Sequence, residues 1–332
     1  MGRWMFLLAL LPACGSSTTT DQPWTVVAND QPSSLQSVWA SNETDVYVVG
    51  GDRLDGTGPI VNHYDGTTWT KLDSTARSIN LWWTFGFAGG PVFMSGTSGT
   101  IVRYQDGAFQ SLTTPGTATV YGMWGADTTH LWAVGGNGAG GGFVWQFDGT
   151  TWTARTDVPA DIVSSGTIWK IGGRSADDIW MSGTNGTMLH WDGSSLAPST
   201  IPVEEGSLFS VAGSSARYIT VGSDSSGAGV IYENDGSGWK SVLPAGGNLL
   251  TGVAVSDDQA YAVGQHGTIL TRGDSGWSQD SSATNLTTQP LHGAFIDSTG
   301  GAWAVGGCFD NCTPQSGGVL LHKGNALKGA VP

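Results

Sequence analysis

Six histidines are the residues of this chain best suited to bind a metal or to act as a general acid or base. His63, His190 and His322 fall at the same position of an internal sequence repeat. A residue placed by a repeat is more often part of packing and hydrogen bonding than of one active site. We therefore interpret these three as structural. The remaining histidines are scattered: His130, His266 and His292.

Paired carboxylates are the second candidates for acid–base chemistry. Asp177-Asp178 and Asp257-Asp258 recur in the turn between the first two strands of a repeat, where aspartate caps turns. Glu204-Glu205 stands alone. The sequence therefore predicts no catalytic residue and no metal site, which favours a protein that is not an enzyme.

A third polar set lies in loops that differ between repeats. Repeats 1, 3, 5 and 7 have long loops after the second strand, whereas the others have minimal turns such as Gly183-Thr184-Asn185-Gly186. The polar side chains of the long loops form a candidate binding rim: Asp52, Arg53, Asp55, Asn137, Asp224, Asp310 and Asn311. Gly-rich loops offer little apolar area, so we expect a polar partner such as a glycan or an envelope protein. The alternative is neutral drift on a tolerant surface.

The acidic side chains of this rim also favour a cationic partner. A Ca²⁺ ion could bridge the rim to its partner, and no other cofactor is predicted. The weaker alternative is that these carboxylates are simply solvated.

The elements that carry these residues are four short strands that recur about seven times. In residues 35–72, extended runs such as Val46-Tyr47-Val48-Val49 end in Gly50-Gly51, and Asp65-Gly66 marks a hairpin. The glycines that end the second strands are spaced by 39 to 48 residues. This period predicts an all-β fold, a seven-bladed β-propeller with four antiparallel strands per blade.

Aromatic residues recur at fixed positions in the repeats. Trp39, Trp83, Trp124 and Trp169 lie on first strands. Because a four-stranded sheet cannot cover both of its faces alone, we predict that these rings fill the space between neighbouring sheets.

The first strand of the domain has no repeat before it. Pro23-Trp24-Thr25-Val26-Val27 matches a fourth strand, and the last repeat lacks the Trp that would open its own. We predict that this N-terminal strand closes the last blade and removes an open sheet edge. The alternative is that residues 326–331 form that strand.

Composition limits the partners. The 332 residues include 13 basic and 27 acidic side chains, for a net charge of −14, which repels phosphate backbones and disfavours nucleic acid. No amphipathic helical stretch stands out. We predict one monomeric propeller domain over residues 23–332.

A family resemblance rests on residues 47–69. Gly50-Gly51, Tyr64-Asp65 and Trp69 resemble a kelch-type repeat, and residues 23–325 are similar to the seven-bladed propellers common in bacterial surface lipoproteins. The resemblance implies a fold and leaves two functions open. The first is a binding or scaffolding module, and the second is a propeller hydrolase or lyase with a site at the channel mouth.

The N-terminus has the pattern of an export signal. Met1-Gly2-Arg3 precedes a short apolar run, and Leu11-Pro12-Ala13-Cys14 resembles the lipobox of bacterial lipoproteins. The resemblance implies that residues 1–13 are a signal peptide and that Cys14 carries a lipid. It also implies a lipid-anchored location at the bacterial outer membrane or cell surface, with no other membrane contact. Residues 14–22 then form a flexible tether. An ordinary secretory signal is the alternative.

Two cysteines remain if Cys14 is lipidated. Cys308 and Cys312 lie four residues apart in an oxidising compartment, which predicts one short disulfide. The competing hypothesis is a metal pair, with His322 as the nearest histidine.

Overall fold

Each of the seven repeats folds into one four-stranded antiparallel sheet. The structure is a computed structural model that describes residues 22–138, 140–202, 206–308 and 316–332. Within these residues, 28 strands form seven sheets, which confirms the all-β, seven-bladed propeller.

The chain begins with β1 (Trp24–Gln31), and blades 1 to 3 follow it. Blade 1 contains β2 (Leu35–Asn42), β3 (Asp45–Asp52), β4 (Pro59–Tyr64) and β5 (Trp69–Lys71). Blade 2 contains β6 (Leu81–Gly86), β7 (Val92–Gly96), β8 (Ile101–Gln105) and β9 (Ala108–Ser111). Blade 3 contains β10 (Thr119–Asp127), β11 (His130–Gly136), β12 (Phe143–Phe147) and β13 (Trp152–Ala154).

Blades 4 to 7 complete the ring. Blade 4 contains β14 (Ile168–Ser175), β15 (Asp178–Gly183), β16 (Met188–Trp191) and β17 (Leu196–Pro198). Blade 5 contains β18 (Ser207–Gly213), β19 (Tyr218–Ser223), β20 (Gly229–Asn234) and β21 (Trp239–Gly247). Blade 6 contains β22 (Leu250–Val255), β23 (Ala260–Gly264), β24 (Ile269–Gly273) and β25 (Gly276–Gln279). Blade 7 contains β26 (Leu291–Ile296), β27 (Ala302–Cys308) and β28 (Ser316–Lys323), together with β1.

Helical structure is minor in the described part of the chain. The helix α1 (Ala160–Ser165) lies in the connection from blade 3 to blade 4. Short 3-10 turns cover Thr97–Gly99, Gln265–Gly267 and Ser281–Ala283.

The seven first strands surround a central channel. Each packs against the first strand of the next blade, and β26 of blade 7 packs against β2 of blade 1, so the ring is closed. Every first strand begins beside the end of its second strand. The loops after the second strands and the connections between blades therefore share one face with the channel entrance.

The N-terminal strand closes the ring, as predicted. β1 pairs antiparallel with β28 as the outer strand of blade 7. Trp24 is 2% exposed, and its ring contacts Tyr261 of blade 6 edge-on at 5.4 Å between centroids. Its Nε1 donates a hydrogen bond to Asp280 Oδ2 at 3.2 Å. These contacts join the strand β1 to blade 6 as well as to blade 7.

The C-terminal segment does not form the closing strand. Residues 324–332 instead cover blade 1, where Leu327 and Val331 pack against its core. The backbone N–H of Lys328 donates to Tyr64 Oη at 3.0 Å. The alternative that residues 326–331 close the last blade is therefore wrong, because β1 already occupies that edge.

The first-strand tryptophans divide into two groups. Trp39 and Trp124 fill the space between blades, as predicted, and each ring packs over a glycine of the next blade, Gly86 or Gly173. The prediction also holds for Trp83, which packs against the core between blades 2 and 3 and donates from Nε1 to Met123 O at 2.8 Å. It is wrong for Trp169. Trp169 is the second residue of β14, where side chains face the channel, and it lines a cavity there.

Candidate functional site

The repeated histidines are structural, as interpreted from the sequence. His63 stacks on Tyr47 with ring centroids 4.2 Å apart, and His190 stacks on Trp180 at the same distance. His63 Nε2 lies 2.9 Å from Asp45 Oδ1, and this hydrogen bond holds the pKa of Asp45 below its usual range. In the third case, His322 packs on the Trp303 ring at 4.0 Å. The histidines thus tie the third strand to the second strand and to the preceding turn.

The paired carboxylates serve turns and ion pairs. Asp178 binds His190 at 2.9 Å and also pairs with Arg174. Asp257 Oδ1 accepts a hydrogen bond from the backbone N–H of Ser215 at 2.9 Å. Glu204-Glu205 lies outside the described residues. The described residues contain no group of three or more His, Cys, Asp or Glu side chains that could hold a metal ion.

The described rim residues, in blades 1, 3 and 5, lie on the face that carries the channel entrance. In blade 1, Asp52 Oδ1 accepts from the N–H of Leu54 at 3.0 Å, and Asp55 Oδ1 accepts from the N–H of Thr57 at 2.8 Å. In blade 5, Asp224 Oδ1 accepts from the N–H of Ser226 at 2.9 Å. These carboxylates therefore shape their own loops as turn caps.

The other rim residues differ in position. Arg53 is half-buried, and burial lowers the pKa of its guanidinium. Asn137 begins the blade 3 loop, and its backbone N–H donates to Gly140 O at 2.8 Å. Blades 1, 3 and 5 alternate around the ring with blades 2 and 4, so the structure does not bring these loops into one cluster. Asp310 and Asn311 lie outside the described residues.

The cysteine predictions also fall largely outside the described residues. Cys308 ends β27, whereas Cys14 and Cys312 lie in segments that are not described. The disulfide and the lipidation therefore stay predictions.

A feature of every first strand was missed from the sequence. The first or second residue of each strand is a fully buried aliphatic, and the residue after it has no partner in the ladder. In β14, for example, Ile168 pairs with Gly183 and Lys170 pairs with Ser182, which leaves Trp169 as the extra residue of a β-bulge. The same bulge occurs in all seven blades and aims one side chain per blade at the channel. We call these residues the mouth ring: Gln36, Trp82, Tyr121, Trp169, Phe209, Thr251 and His292.

The mouth ring and Lys170 line a cavity of about 320 Å³. This volume is at the lower end of the range for small-ligand sites, about 300–1,000 Å³. The cavity therefore has room for a small ligand or for one ring of a larger one.

One side of this cavity is an aromatic arc. Trp82 meets Tyr121 with ring centroids 5.2 Å apart, and Tyr121 meets Trp169 at 4.9 Å, both edge-to-face. Trp169 and Phe209 follow at 6.1 Å. Such contacts contribute about 0.5–1.5 kcal/mol per pair. The four rings come from blades 2 to 5, so the arc is a rigid wall made by consecutive blades.

The opposite side is polar and comes from blades 6, 7 and 1. Gln36 Nε2 donates to Ser34 Oγ at 2.8 Å, which fixes its amide. Thr251 Oγ1 donates to the carbonyl of Leu291. His292 Nε2 donates to Gly307 O at 2.7 Å. The cavity is therefore amphipathic, with rings facing hydrogen-bonding side chains.

Lys170 forms the floor of the cavity, and its ammonium group lies over the ring of Trp83. Both follow a bulge residue, at a position where the other five blades have Gly or Ser. Lys170 Nζ lies 4.5 Å from the centroid of the Trp83 ring and donates to Tyr121 O at 2.5 Å. Trp83 also lines a second, apolar cavity of about 180 Å³ further along the channel. Lys170 and Trp83 therefore separate the two cavities, because the Gly and Ser residues of the other five blades are too small to fill the channel at this level.

Burial changes the titration of two groups at this site. It lowers the pKa of the Lys170 ammonium to about 7, because the charged form loses solvation. It raises the pKa of the Tyr121 hydroxyl. Among the described residues Lys170 forms no ion pair, and no Asp, Glu or Arg lines the cavity. A site with these shifts and an open cavity is a candidate functional site.

The comparisons with known proteins identify the fold. No protein-family model matches the sequence, and no curated protein matches it. Among solved structures, YCF48 bound to a D1 peptide is similar over 92% of this chain and 97% of its own, with 14% identity and a TM-score of 0.66. YCF48 from Cyanidioschyzon merolae is similar over 91% and 99%, with 15% identity and a TM-score of 0.67.

A third neighbour is the extracellular domain of BT4673 from B. thetaiotaomicron. It is similar over 90% of this chain and 40% of that chain, with 13% identity and a TM-score of 0.66. At these identities the likeness concerns the fold alone, a seven-bladed β-propeller. Separately, none of the helices within the described ranges is long and apolar enough to cross a membrane.

Proposed function

We propose that this protein is a binding module that takes a glycan at the mouth ring. The observation that carries the proposal is the aromatic arc of Trp82, Tyr121, Trp169 and Phe209 facing the polar side of the same cavity. Sugar rings have apolar C–H faces that pack on aromatic rings and hydroxyls that need hydrogen-bonding partners. An amphipathic cavity of this size provides both.

The rim loops surround this cavity and extend the proposed site. They share its face, and Gly307 near the end of β27 accepts a hydrogen bond from His292 of the mouth ring. Asp52, Arg53, Asp55, Asn137 and Asp224 would then contact parts of the ligand that project beyond the cavity. A cationic or Ca²⁺-bridged contact at these carboxylates stays part of the proposal.

The partner could instead be an envelope protein. The neighbour YCF48 is described as bound to a D1 peptide, and the BT4673 neighbour is an extracellular domain. The first supports a binding role for a propeller of this shape, and the second supports a location outside the cell. The binding experiment must therefore offer peptides as well as glycans.

The test is a binding screen of the full chain against glycan and peptide arrays, repeated with Trp169→Ala. We expect glycan signals that weaken about tenfold or more in the variant, because a buried aromatic contact is lost. Trp277→Ala is the matched control, since Trp277 lies on β25, the outer strand of blade 6. Binding to peptides and to no glycan would reject the glycan proposal, and equal weakening in both variants would reject the site.

A propeller lyase or hydrolase is the second candidate. Lys170, Tyr121 and His292 place three titratable groups around one cavity, and the pKa of Lys170 lies near neutrality. A neutral amine at pH 7 can act as a general base. Chromatography of any bound glycan after prolonged incubation separates the two functions, because a binding module returns the glycan unchanged.

We further propose that the module is displayed on the outside of a bacterial cell through a lipid on Cys14, at the outer membrane. The lipobox resemblance of Leu11-Pro12-Ala13-Cys14 supports this location. Cys14→Ser should abolish metabolic labelling by palmitate and move the protein to the soluble fraction. Labelling that persists in the variant would exclude this anchor.

A further inference from the structure

Lys170 is the one basic side chain at the floor of the mouth cavity among the described residues, and none of those residues places a carboxylate beside it. We propose that the ligand is an acidic sugar whose carboxylate binds the Lys170 ammonium. The inference rests on the proposed glycan binding at the mouth ring and specifies the chemical class of the sugar.

The geometry leaves Lys170 able to bind an anion. An ammonium has three N–H donors. One goes to Tyr121 O, and the face of Trp83 lies beneath the group at 4.5 Å. Lys170 also lines the open cavity, and among the described residues it has no carboxylate partner. A donor thus remains for a ligand atom that enters from the mouth.

The distribution of charge around the cavity also favours an anionic ligand. The whole chain has a net charge of −14, yet no Asp or Glu is found among the described residues that line the cavity. A cationic ligand would meet the Lys170 charge without a carboxylate to balance it. An anionic ligand would gain a charge-assisted hydrogen bond in a partly desolvated site, where such bonds are strong.

The channel backbone favours a sugar over a peptide carboxylate. An extended peptide gains affinity by pairing with the free edge of a strand. A peptide in the channel would need backbone carbonyls of the first strands as acceptors, and side chains already donate hydrogen bonds to several of them. Lys170 donates to Tyr121 O, Trp83 to Met123 O and Thr251 to Leu291 O. A sugar instead uses ring faces and side-chain hydrogen bonds, which the mouth ring provides.

The titration of Lys170 supports the proposal. Its pKa of about 7 means that the free site holds the proton only partly at neutral pH. A bound carboxylate favours the ammonium and raises this pKa, so binding above pH 7 should take up a proton. Tyr121 and His292 are the other titratable groups that face the cavity from neighbouring strands, so a Lys170 variant is needed to assign the proton.

The experiment is titration calorimetry of the full chain with oligosaccharides that end in galacturonate, glucuronate or mannuronate. Each is compared with its carboxyl-reduced, neutral counterpart, and a peptide with a free C-terminal carboxylate is included. We expect one acidic sugar to bind about 10- to 100-fold more tightly than its neutral form, as a hydrogen bond to a charged group predicts. In buffers of different ionisation enthalpy at pH 8, we expect uptake of close to one proton.

Variants of Lys170 test whether this residue causes both the preference for the acidic sugar and the proton uptake. Lys170→Met should remove both the preference for the acid and the proton uptake, whereas Lys170→Arg should keep the preference without the uptake. Lys240→Met is the matched control, because Lys240 is exposed on β21 and pairs with Asp235 at 3.7 Å. It should behave as the parent does.

Three results would overturn the inference. Equal affinity for acidic and neutral sugars would show that the site does not recognise the carboxylate, while the proposed glycan binding would stand. A preference for the acid that survives Lys170→Met would place the carboxylate elsewhere. Binding of the peptide alone, or of none of these ligands, would reject the acidic sugar together with the proposed function.

Discussion

Lys170 is kept in a position that costs stability. An amine whose pKa falls from 10.5 to about 7 on folding opposes folding while it is charged. Five blades place Gly or Ser at the equivalent position, so the propeller does not need a lysine there. A costly residue beside an open cavity is the pattern expected for a functional group.

This cost predicts a dependence of stability on pH. Between about pH 7 and pH 10.5 the unfolded lysine is protonated and Lys170 is neutral, so unfolding takes up a proton and stability rises with pH. Below pH 7 the full cost is present. Lys170→Met should therefore raise the free energy of unfolding at pH 6, on the order of 1 kcal/mol, and the gain should fade by pH 9.5.

Thermal or urea unfolding of the parent and the variant at both pH values measures the difference. Lys240→Met should show no such trend, because its side chain is exposed. A Lys170→Met variant that is equally destabilised at both pH values would contradict the account.

At the scale of single residues, the sequence predicted the structural histidines and missed the site. His63 and His190 could be assigned because the repeat gave them equal environments. Trp169 was wrongly grouped with Trp39, since a recurring tryptophan position does not reveal a one-residue bulge. One feature of the sequence could have indicated the mouth ring. Within otherwise regular repeats, the residue after the buried aliphatic varies from blade to blade.

At the scale of elements, the bulge is the device that builds the site. A regular ladder would alternate side chains between the two faces of a blade, whereas the extra residue turns one side chain to the channel. The loops were easier to predict, because the Asp-Gly and Gly-rich signals are local. Their function was harder to predict, since Asp52, Asp55 and Asp224 each cap their own loop.

Shortening the rim loops distinguishes their contribution to binding from that of the mouth ring. We predict that replacing residues 51–58 and 224–228 by the Gly-Thr-Asn-Gly turn of blade 4 changes the free energy of unfolding by no more than about 1 kcal/mol. Binding of a single sugar should persist, because the mouth ring is untouched, while longer glycans should bind more weakly. Unfolding curves and calorimetry measure the two effects. Loss of single-sugar binding in a folded, trimmed ring would show that the loops form the primary site.

At the scale of the whole molecule, closure of the ring holds the blades in register around the mouth. The sequence predicted this closure from an orphan strand, because a fourth strand without its first three must pair elsewhere. It did not predict the C-terminal cover of blade 1, since residues 326–331 were weighed only as an alternative closing strand, whereas the segment binds blade 1 through Asn325 and Lys328.

Trp24 should contribute strongly to this closure. Trp24→Ala removes a ring that is 2% exposed and that contacts blade 6, so we expect a loss of about 3–5 kcal/mol in the free energy of unfolding. Val26 lies on the same strand and is 41% exposed, so Val26→Ala is the control and should cost no more than about 0.5 kcal/mol. Similar unfolding midpoints for both variants would show that β1 is not needed to close the ring.

The central claim is that the mouth ring binds the ligand, and a crystal structure of the full chain with its tightest-binding acidic oligosaccharide tests it directly. We expect the terminal sugar inside the channel mouth, packed on the ring of Trp169, with its carboxylate within hydrogen-bonding distance of Lys170 Nζ. A sugar bound on the outer strands, on the opposite face, or only on the rim loops would contradict the account.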